Sequence, residues 1–361
     1  MKQNPDIYIL ITADYELFLG RNFLNNNEIL FTPTRRMIEI CEELDVPITF
    51  FADICSVWAH RKYGLNEYGD SFERQMTQAI RSGHDVQLHL HPHWLNSEYI
   101  DNEWKISTDK MYLSELGFGT NADSATSVIK NGVDYLNQLL LKENPEYKCL
   151  AFRAAGLALQ PEEEKLIEAL VKQGIAIDLS IIKGAKLNLD TIVIDYTQVP
   201  TQANWHISSE NGINHPAESG IFEIPILTFK TDLASRLGFL LRRLRAVGMR
   251  RGSGISRSTK QTRWSNMKTL LLYNLRYVFS NSYFSFSCDT KGYNLPMLLD
   301  GFDDYIERHR DSERIFVSMI NHPKLLFEPQ FQLLKSLVVE LRKKYGEQIR
   351  FITATEAWKL I

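Results

Sequence analysis

The sequence predicts an α/β protein whose parallel strands close, or nearly close, into a barrel. Short apolar runs rich in β-branched residues alternate with segments of helical periodicity along most of the 361 residues. A helix between two successive strands makes those strands parallel, with a right-handed crossover. About seven such units can be counted, which favours a barrel over an open sheet. No GxGxxG motif follows the first apolar run, which disfavours a dinucleotide-binding fold.

Each predicted strand is a short apolar run, and several of these runs end in a polar residue. The strands are predicted over residues 7–14, 47–53, 84–91, 148–156, 175–181 and 314–323, with a last one inside 349–358.

The predicted helices carry ordinary boundary signals. Thr32 precedes Pro33 at the start of one helix, where proline fits the first turn. Gly83 and Gly174 end two others, since glycine readily adopts the left-handed conformation that closes a helix. The helices are predicted over residues 32–46, 70–83, 123–142, 161–174 and 328–345.

Composition places the chain among ordinary globular proteins. Hydrophobic residues make up 44%, and the net charge of −3 does not indicate a nucleic-acid partner. The four cysteines form no CxxC pair, which is typical of buried, reduced thiols. The N-terminal apolar run is too short for a signal peptide, and no run approaches the length of a membrane span. We therefore expect one cytoplasmic domain over residues 1–361.

A basic segment interrupts the strand–helix alternation. Residues 229–268 hold eleven lysines and arginines against one acid, Asp232. We expect residues 228–300 to form an inserted, mostly helical cap or subdomain. Its first helix either packs its apolar residues on the barrel, grips an anionic or lipid-linked substrate, or lies on anionic lipid at the inner face of the membrane. No recognisable nucleic-acid-binding module contains it.

Acids, imidazoles and a guanidinium stand at the ends of five predicted strands. In a parallel barrel these ends share one rim, where active sites are built, so we expect a single site there. The residues are Asp14 and Glu16 after the first strand, His89, His91 and His93 near the third, then Arg153, Asp178 and His322.

This set of side chains suits a metal-activated water. Imidazole and carboxylate bind zinc, iron, cobalt or nickel, and two histidines with one carboxylate are enough. Strand alternation places His89 and His91 on one face, and Pro92 lets His93 turn back toward the same point. The remaining acid and His322 would then move protons. Arg153 would keep the base ionised or form a buried ion pair, and Asp178 would act behind the site or in a turn.

Several motifs, taken in order, are similar to a known family. The chain resembles the polysaccharide deacetylases (the NodB-homology group, carbohydrate esterase family 4), in a divergent branch associated with surface glycans. The likeness covers about residues 7–226 and 314–356. It is carried by "TADYELFLGR", "ITFFAD", "SGHDVQLHLHPHW", "AFRAAGLALQP", "IAIDLSI" and "INHPKLL".

The resemblance implies a distorted (β/α)7 TIM-like barrel with one divalent metal, zinc before iron, cobalt or nickel. It implies hydrolysis of an N-acetyl group on a sugar in a polysaccharide or glycan precursor. Asp14 would be the general base, oriented by Arg153, and His322 the general acid. His89 and His93 would bind the metal.

This chain departs from the family pattern at two positions. Tyr15 stands where a second aspartate is usual, so Glu16 becomes the expected carboxylate ligand. If Glu16 turns away, Asp14 would bind the metal and another group would be the base. His91 is an additional imidazole, which would either replace His93 as a ligand or bind substrate.

Two other functions stay open: an inactive glycan-binding barrel, and a hydrolase of small C–N amides. Three aromatic residues are candidates for stacking on a sugar: Tyr15, Trp94 and Trp205.

Overall fold

A sheet of short, buried, mostly parallel strands forms the centre of the computed structural model, which describes residues 5–18, 25–189, 192–249 and 283–361. The barrel strands are β1 (Asp6–Tyr15), β2 (Ile48–Asp53), β3 (Asp85–Leu90), β6 (Ala151–Ala154), β7 (Ile177–Asp178), β12 (Ile221–Glu223) and β15 (Arg314–Asn321). The remaining strands are β4 (Glu98–Ile100), β5 (Glu103–Lys105), β8 (Lys186–Leu189), β9 (Ile192–Asp195), β10 (Trp205–Ser208), β11 (Gly212–Ala217), β13 (Thr228–Phe229), β14 (Phe284–Ser285) and β16 (Ile349–Phe351).

The sheet curls until its two ends meet. Parallel pairing runs from β15 through β1, β2, β3, β6 and β7 to β12. Beyond β12, Ile226 bridges in parallel to Ile182 on one side and to Ser318 of β15 on the other. The predicted α/β barrel is therefore confirmed. Two antiparallel strands, β10 and β11, extend the sheet from β12.

Helices, most of them amphipathic, cover the sheet. They are α1 (Thr32–Glu43), α2 (Ile54–Lys62), α3 (Asn66–Arg81), α4 (Ala125–Leu140), α5 (Glu163–Lys172), α6 (Leu233–Met249), α7 (Leu295–Arg308), α8 (Glu328–Tyr345) and α9 (Ala354–Trp358). The last predicted strand region is divided, because a capping box at Thr353 and Glu356 starts α9 two residues after β16 ends. No helix in the described part of the chain is long and apolar enough to cross a membrane.

The basic segment begins as predicted with a helix, α6, and part of its apolar surface is packed. Phe239 is buried, with its ring 5.3 Å from that of Phe284 and 5.5 Å from that of Tyr293. Leu240 is also buried, whereas Leu233, Leu237, Leu241 and Leu244 are exposed. Residues 250–282, which hold the rest of the predicted basic cap, lie outside the described residues.

After β14 the chain returns to the barrel, within the range predicted as an insertion. The Phe286 amide donates to the Leu227 carbonyl, and the Phe286 carbonyl accepts from Ile320. The Cys288 amide donates to the side chain of Asn321. These contacts bring Asp289 to the rim of the barrel.

Candidate metal centre

Strand register places three of the polar side chains in one row. Asp53 at the end of β2 pairs with His89 in β3, and His89 pairs with Arg153 in β6. Side chains that are paired across parallel strands point to the same face of a sheet, so this row faces the barrel mouth. The end of β1, with Asp14 and Glu16, lies across from it.

Glu16, His89 and His91 converge on one point. The Nε2 atoms of His89 and His91 are 3.0 Å apart, and Glu16 Oε2 lies 3.2 Å from His89 Nε2. Glu16 Oε2 also contacts His91 Nε2. All three side chains are buried, and their ligand atoms lie within 4.8 Å of one another.

These spacings fit the donors of a small divalent cation. Zinc–ligand bonds of about 2.0–2.1 Å at tetrahedral angles put neighbouring donor atoms roughly 3.3 Å apart. The two separations of 3.0 and 3.2 Å are close to that value. His89 Nδ1 donates to the Arg153 carbonyl oxygen at 2.7 Å, which leaves the Nε2 lone pair free for a metal. The trio can therefore hold one metal ion.

Arg153 donates hydrogen bonds to three strands or loops beside the centre. Its guanidinium is fully buried and donates to Asp14 Oδ1 at 2.6 Å, to the Leu179 carbonyl at 2.9 Å and to Ser318 Oγ at 3.1 Å. Burial opposes ionisation of Asp14, but the Arg153 cation, aided by His322 and His89, holds the Asp14 pKa below its ordinary value. Asp14 is thus kept as a carboxylate.

His322 stands at the opposite side of the mouth, paired with Asp289. His322 Nδ1 donates to Asp289 Oδ2 at 2.7 Å, and the His322 amide donates to the same oxygen at 2.8 Å. Nε2 then faces Asp14 Oδ2 at 3.5 Å and Glu16 Oε1 at 3.7 Å. Burial lowers the His322 pKa, but the hydrogen bond and charge of Asp289, together with the charges of Asp14 and Glu16, outweigh burial, so the pKa is raised. The imidazolium form is therefore favoured.

Lys324 fixes the second oxygen of Glu16. Its ammonium donates to Glu16 Oε1 at 2.6 Å and to the Leu17 carbonyl at 2.8 Å. Burial raises the Glu16 pKa, but Lys324 and His91 outweigh burial and hold it well below its ordinary value. Lys324 thereby keeps Glu16 ionised and turns Oε2 toward the two imidazoles.

The structure leaves two predicted site residues outside this cluster. His93 is buried in the 3-10 turn Pro92–Asn96, and neither of its ring nitrogens has a hydrogen-bond partner in the described chain. Its ring lies 5.3 Å from that of His91 and 5.4 Å from that of Trp94, and it is not part of the group of ligand atoms within 4.8 Å of one another. Burial lowers the His93 pKa to about 3. The placement favours His91 over His93 as the second imidazole.

Asp178 lies behind the cluster. Its carboxylate accepts from the amide and the hydroxyl of Ser180, both at 2.8 Å. Burial raises the Asp178 pKa. Its connection to the centre runs through the next residue, Leu179, whose carbonyl accepts from Arg153.

Three residues of the site were not assigned a role from the sequence. Lys324 and Asp53 lie inside the motifs "INHPKLL" and "ITFFAD", and Asp53 also ends a strand, which was a usable signal. Its Oδ1 accepts from the His91 amide at 3.0 Å. Asp289 carried no signal, because it belongs to the segment predicted as an insertion.

The proposed sugar-stacking residues are corrected by their burial. Tyr15, Trp94 and Trp205 are at most 3% exposed. Tyr15 packs between Phe31, Phe50 and Phe72. Aromatic side chains so enclosed form part of the core.

Comparison with solved structures finds the same fold. The structure of a protein from Parabacteroides distasonis provisionally named a glycoside hydrolase/deacetylase matches 99% of this chain and 71% of its own, with 11% identity and a TM-score of 0.51. A provisionally named polysaccharide deacetylase from Mycobacterium smegmatis matches 100% of this chain and 92% of its own, with 11% identity and a TM-score of 0.48. No family model and no curated protein sequence matches the chain. The match to the Parabacteroides distasonis protein, at 11% identity, confirms the expected fold alone.

Proposed function

We propose that this protein is a metal-dependent hydrolase that removes an N-acetyl group from a sugar in a polysaccharide or glycan precursor. The observation that carries the proposal is the convergence of Glu16, His89 and His91 within 4.8 Å, with Asp14 and His322 beside them. A bound divalent ion, zinc before iron, cobalt or nickel, would polarise the acetamide carbonyl and lower the pKa of a water from 15.7 to about 7.

The protein's own residues would move the protons. Asp14, held ionised by Arg153, accepts the proton of the attacking water. His322, held protonated by Asp289, donates a proton to the amine as acetate leaves. Asp14 Oδ2 and His322 Nε2 are 3.5 Å apart, so a base and an acid flank the same small volume. Two groups with pKa values driven in opposite directions are typical of acid–base catalysis.

Acetate release tests this assignment. The substrates are a panel of N-acetylated sugars, nucleotide-linked sugars and oligosaccharides, assayed with zinc-loaded protein. Asp14→Asn is expected to lose about 10²–10⁴-fold in kcat/KM, as is usual for a general base. The matched control is Asp134→Asn, an exposed carboxylate of α4, which should keep wild-type activity. No acetate from any substrate would refute the proposed function.

Neither alternative function gains support from the site. An inactive glycan-binding barrel has no need for the buried Asp14–Arg153 pair, which costs desolvation energy. A small-amide hydrolase leaves the exposed basic helix without a role. Carbohydrate N-deacetylation accounts for both features.

The exposed face of α6 favours a lipid-linked substrate reached at the membrane surface. Four of its five leucines are between 37% and 57% exposed and share one stripe at 100° per residue, while Leu240 at the edge of the stripe is buried and buried Phe239 points away from it. Arginines border the stripe on both sides. The leucines are Leu233, Leu237, Leu241 and Leu244, and the bordering arginines are Arg236, Arg243 and Arg245. An apolar stripe with basic flanks is typical of a helix that lies on anionic lipid.

Vesicle sedimentation tests this part of the proposal. Wild-type protein should bind vesicles of anionic phospholipid and bind zwitterionic vesicles weakly. The double variant Leu237→Gln, Leu241→Gln should lose at least tenfold in affinity, because a buried leucine contributes about 1.5–3 kcal/mol. Val339→Gln, at an equally exposed position in α8, is the control. Equal binding by both variants would argue against this surface.

A further inference from the structure

The two oxygens of the Glu16 carboxylate have partners of different chemistry. Oε2 lies 3.2 Å from His89 Nε2 and also contacts His91 Nε2. Oε1 accepts a hydrogen bond from the Lys324 ammonium at 2.6 Å. One oxygen therefore faces the other proposed metal ligands, while the second faces a cation of the protein itself.

Three consecutive residues after β1 hold the Lys324 ammonium in place. Besides the bond to Glu16, the ammonium donates to the Leu17 carbonyl at 2.8 Å and lies 5.3 Å from the centroid of the Phe18 ring. The side chains of Lys324 and Glu16 are only 6% and 7% exposed. A hydrogen bond between two charged groups is about twice as strong as one between neutral groups, so rotation of the Glu16 carboxylate away from Lys324 is opposed.

The backbone that carries Lys324 is itself held by hydrogen bonds. Lys324 lies in the 3-10 turn Pro323–Leu325, directly after His322. The Leu325 amide donates to the His322 carbonyl at 2.9 Å, and the His322 amide donates to Asp289 at 2.8 Å. These bonds fix the point from which Lys324 reaches across the barrel mouth to Glu16.

The number of oxygens that a carboxylate offers affects which metal ion a site prefers. Zinc in proteins is usually tetrahedral, so two imidazoles, one carboxylate oxygen and one water complete its coordination. Manganese(II) and magnesium favour octahedral sets of oxygen ligands, which a carboxylate binding through both oxygens supplies better. Because Lys324 occupies Oε1, Glu16 offers the trio of ligands a single oxygen, Oε2.

We propose that Lys324 is a positioning residue that restricts Glu16 to one metal-binding oxygen and thereby makes the centre prefer zinc over manganese(II). This role deepens the proposed function and depends on its metal centre. It concerns metal binding alone, so it can be tested without a substrate and without measuring acetate release.

The experiment titrates the metal-stripped full chain with zinc and, separately, with manganese(II), in competition with a chelating indicator. The quantity compared is the ratio of the manganese Kd to the zinc Kd. Removal of a nearby positive charge strengthens the attraction for both dications alike, and this effect cancels in the ratio. Lys324→Met keeps the length of the side chain and removes the ammonium. The ratio should fall at least about tenfold in this variant, as is usual when a group that orients a metal ligand is lost.

Lys335→Met is the matched control, since Lys335 pairs with Glu43 at the surface, and it should keep the wild-type ratio. Lys324→Gln also removes the cation, is expected to lower the ratio in the same way, and serves if Lys324→Met does not fold. A lysine that only braces the turn would lower the free energy of unfolding when replaced and leave the ratio unchanged.

The outcomes separate this role from the proposed function. An unchanged ratio in a folded variant without Lys324 would overturn the positioning role and leave the metal centre in place. A wild-type protein that binds neither metal would overturn both.

Discussion

At the scale of single residues, one buried and one partly buried ion pair set the protonation of the site in opposite senses. Arg153 lowers the pKa of Asp14, and Asp289 raises the pKa of His322. In the interval between these two pKa values the base is ionised and the acid is protonated. Activity should therefore fall at low pH as Asp14 gains a proton and at high pH as His322 loses one.

Removing Asp289 should move only the alkaline limit. In Asp289→Asn the bond that raises the His322 pKa is lost while burial, which lowers it, remains. The alkaline limb of kcat/KM should shift to lower pH by about 1–2 units, since a hydrogen bond to a charged group contributes about 1.5–3 kcal/mol. The acidic limb, set by Asp14, should stay in place.

The pH profile of acetate release measures this shift. Asp304→Asn, at an exposed carboxylate of α7, is the control and should reproduce the wild-type profile. An alkaline limb that does not move in Asp289→Asn would show that His322 is not the group that titrates there.

Some residues of the site could be placed from the sequence and others could not. Strand alternation correctly placed His89 and His91 on one face. Alternation gave no means of choosing between His91 and His93. The strand ends before Pro92, and the path of the next residues depends on how Trp94 packs in the folded protein. The hydrogen bond between His322 and Asp289 joins residues 33 positions apart. It could not be predicted, because Asp289 lies in a segment that was predicted as an insertion.

At the scale of elements, most of the predicted helices and strands have bounds within a few residues of those in the structure, but α2, α7 and the short antiparallel strands were not predicted. The helix predicted over 328–345 has those bounds in the structure. The packing of α6 could not be predicted, because its leucines satisfy helical spacing whether they face protein, water or lipid. The positions of Phe239 against Phe284 and Tyr293, and of buried Leu240, show which side of α6 packs on the rest of the described chain.

Two helix glycines provide a matched test of this packing. A Cβ on Gly301 of α7 would lie 2.4 Å from Cγ of buried Phe229. A Cβ on Gly238 of α6 would meet only the flexible end of Arg242, at 3.1 Å. Gly301→Ala should lower the free energy of unfolding by about 1–3 kcal/mol. Gly238→Ala should leave it unchanged or raise it by up to about 1 kcal/mol, because alanine favours helix.

Urea denaturation of the two variants and the wild type measures the difference. The prediction states which variant is less stable as well as how large the change in the free energy of unfolding is. A Gly301→Ala protein as stable as Gly238→Ala would mean that α7 does not press on Phe229 as described.

At the scale of the whole molecule, the barrel accounts for the gathering of the site. Residues from β1, β2, β3, β6 and the end of β15 meet only because parallel strands share one rim. This convergence was predictable from strand order alone, whereas the closure through Ile226 was not, since that residue follows an ordinary apolar run.

Zinc titration of the metal-stripped protein tests the central claim, a single metal ion held by Glu16, His89 and His91. Wild-type protein should bind one zinc ion per chain. Glu16→Gln and His91→Ala should each weaken binding at least about a hundredfold, beyond the 10–100-fold usual for loss of a residue that only supports a ligand. His93→Ala should stay within about tenfold of wild type on the same scale. A wild-type protein that binds no zinc, or a Glu16→Gln variant that binds it equally well, would contradict the account.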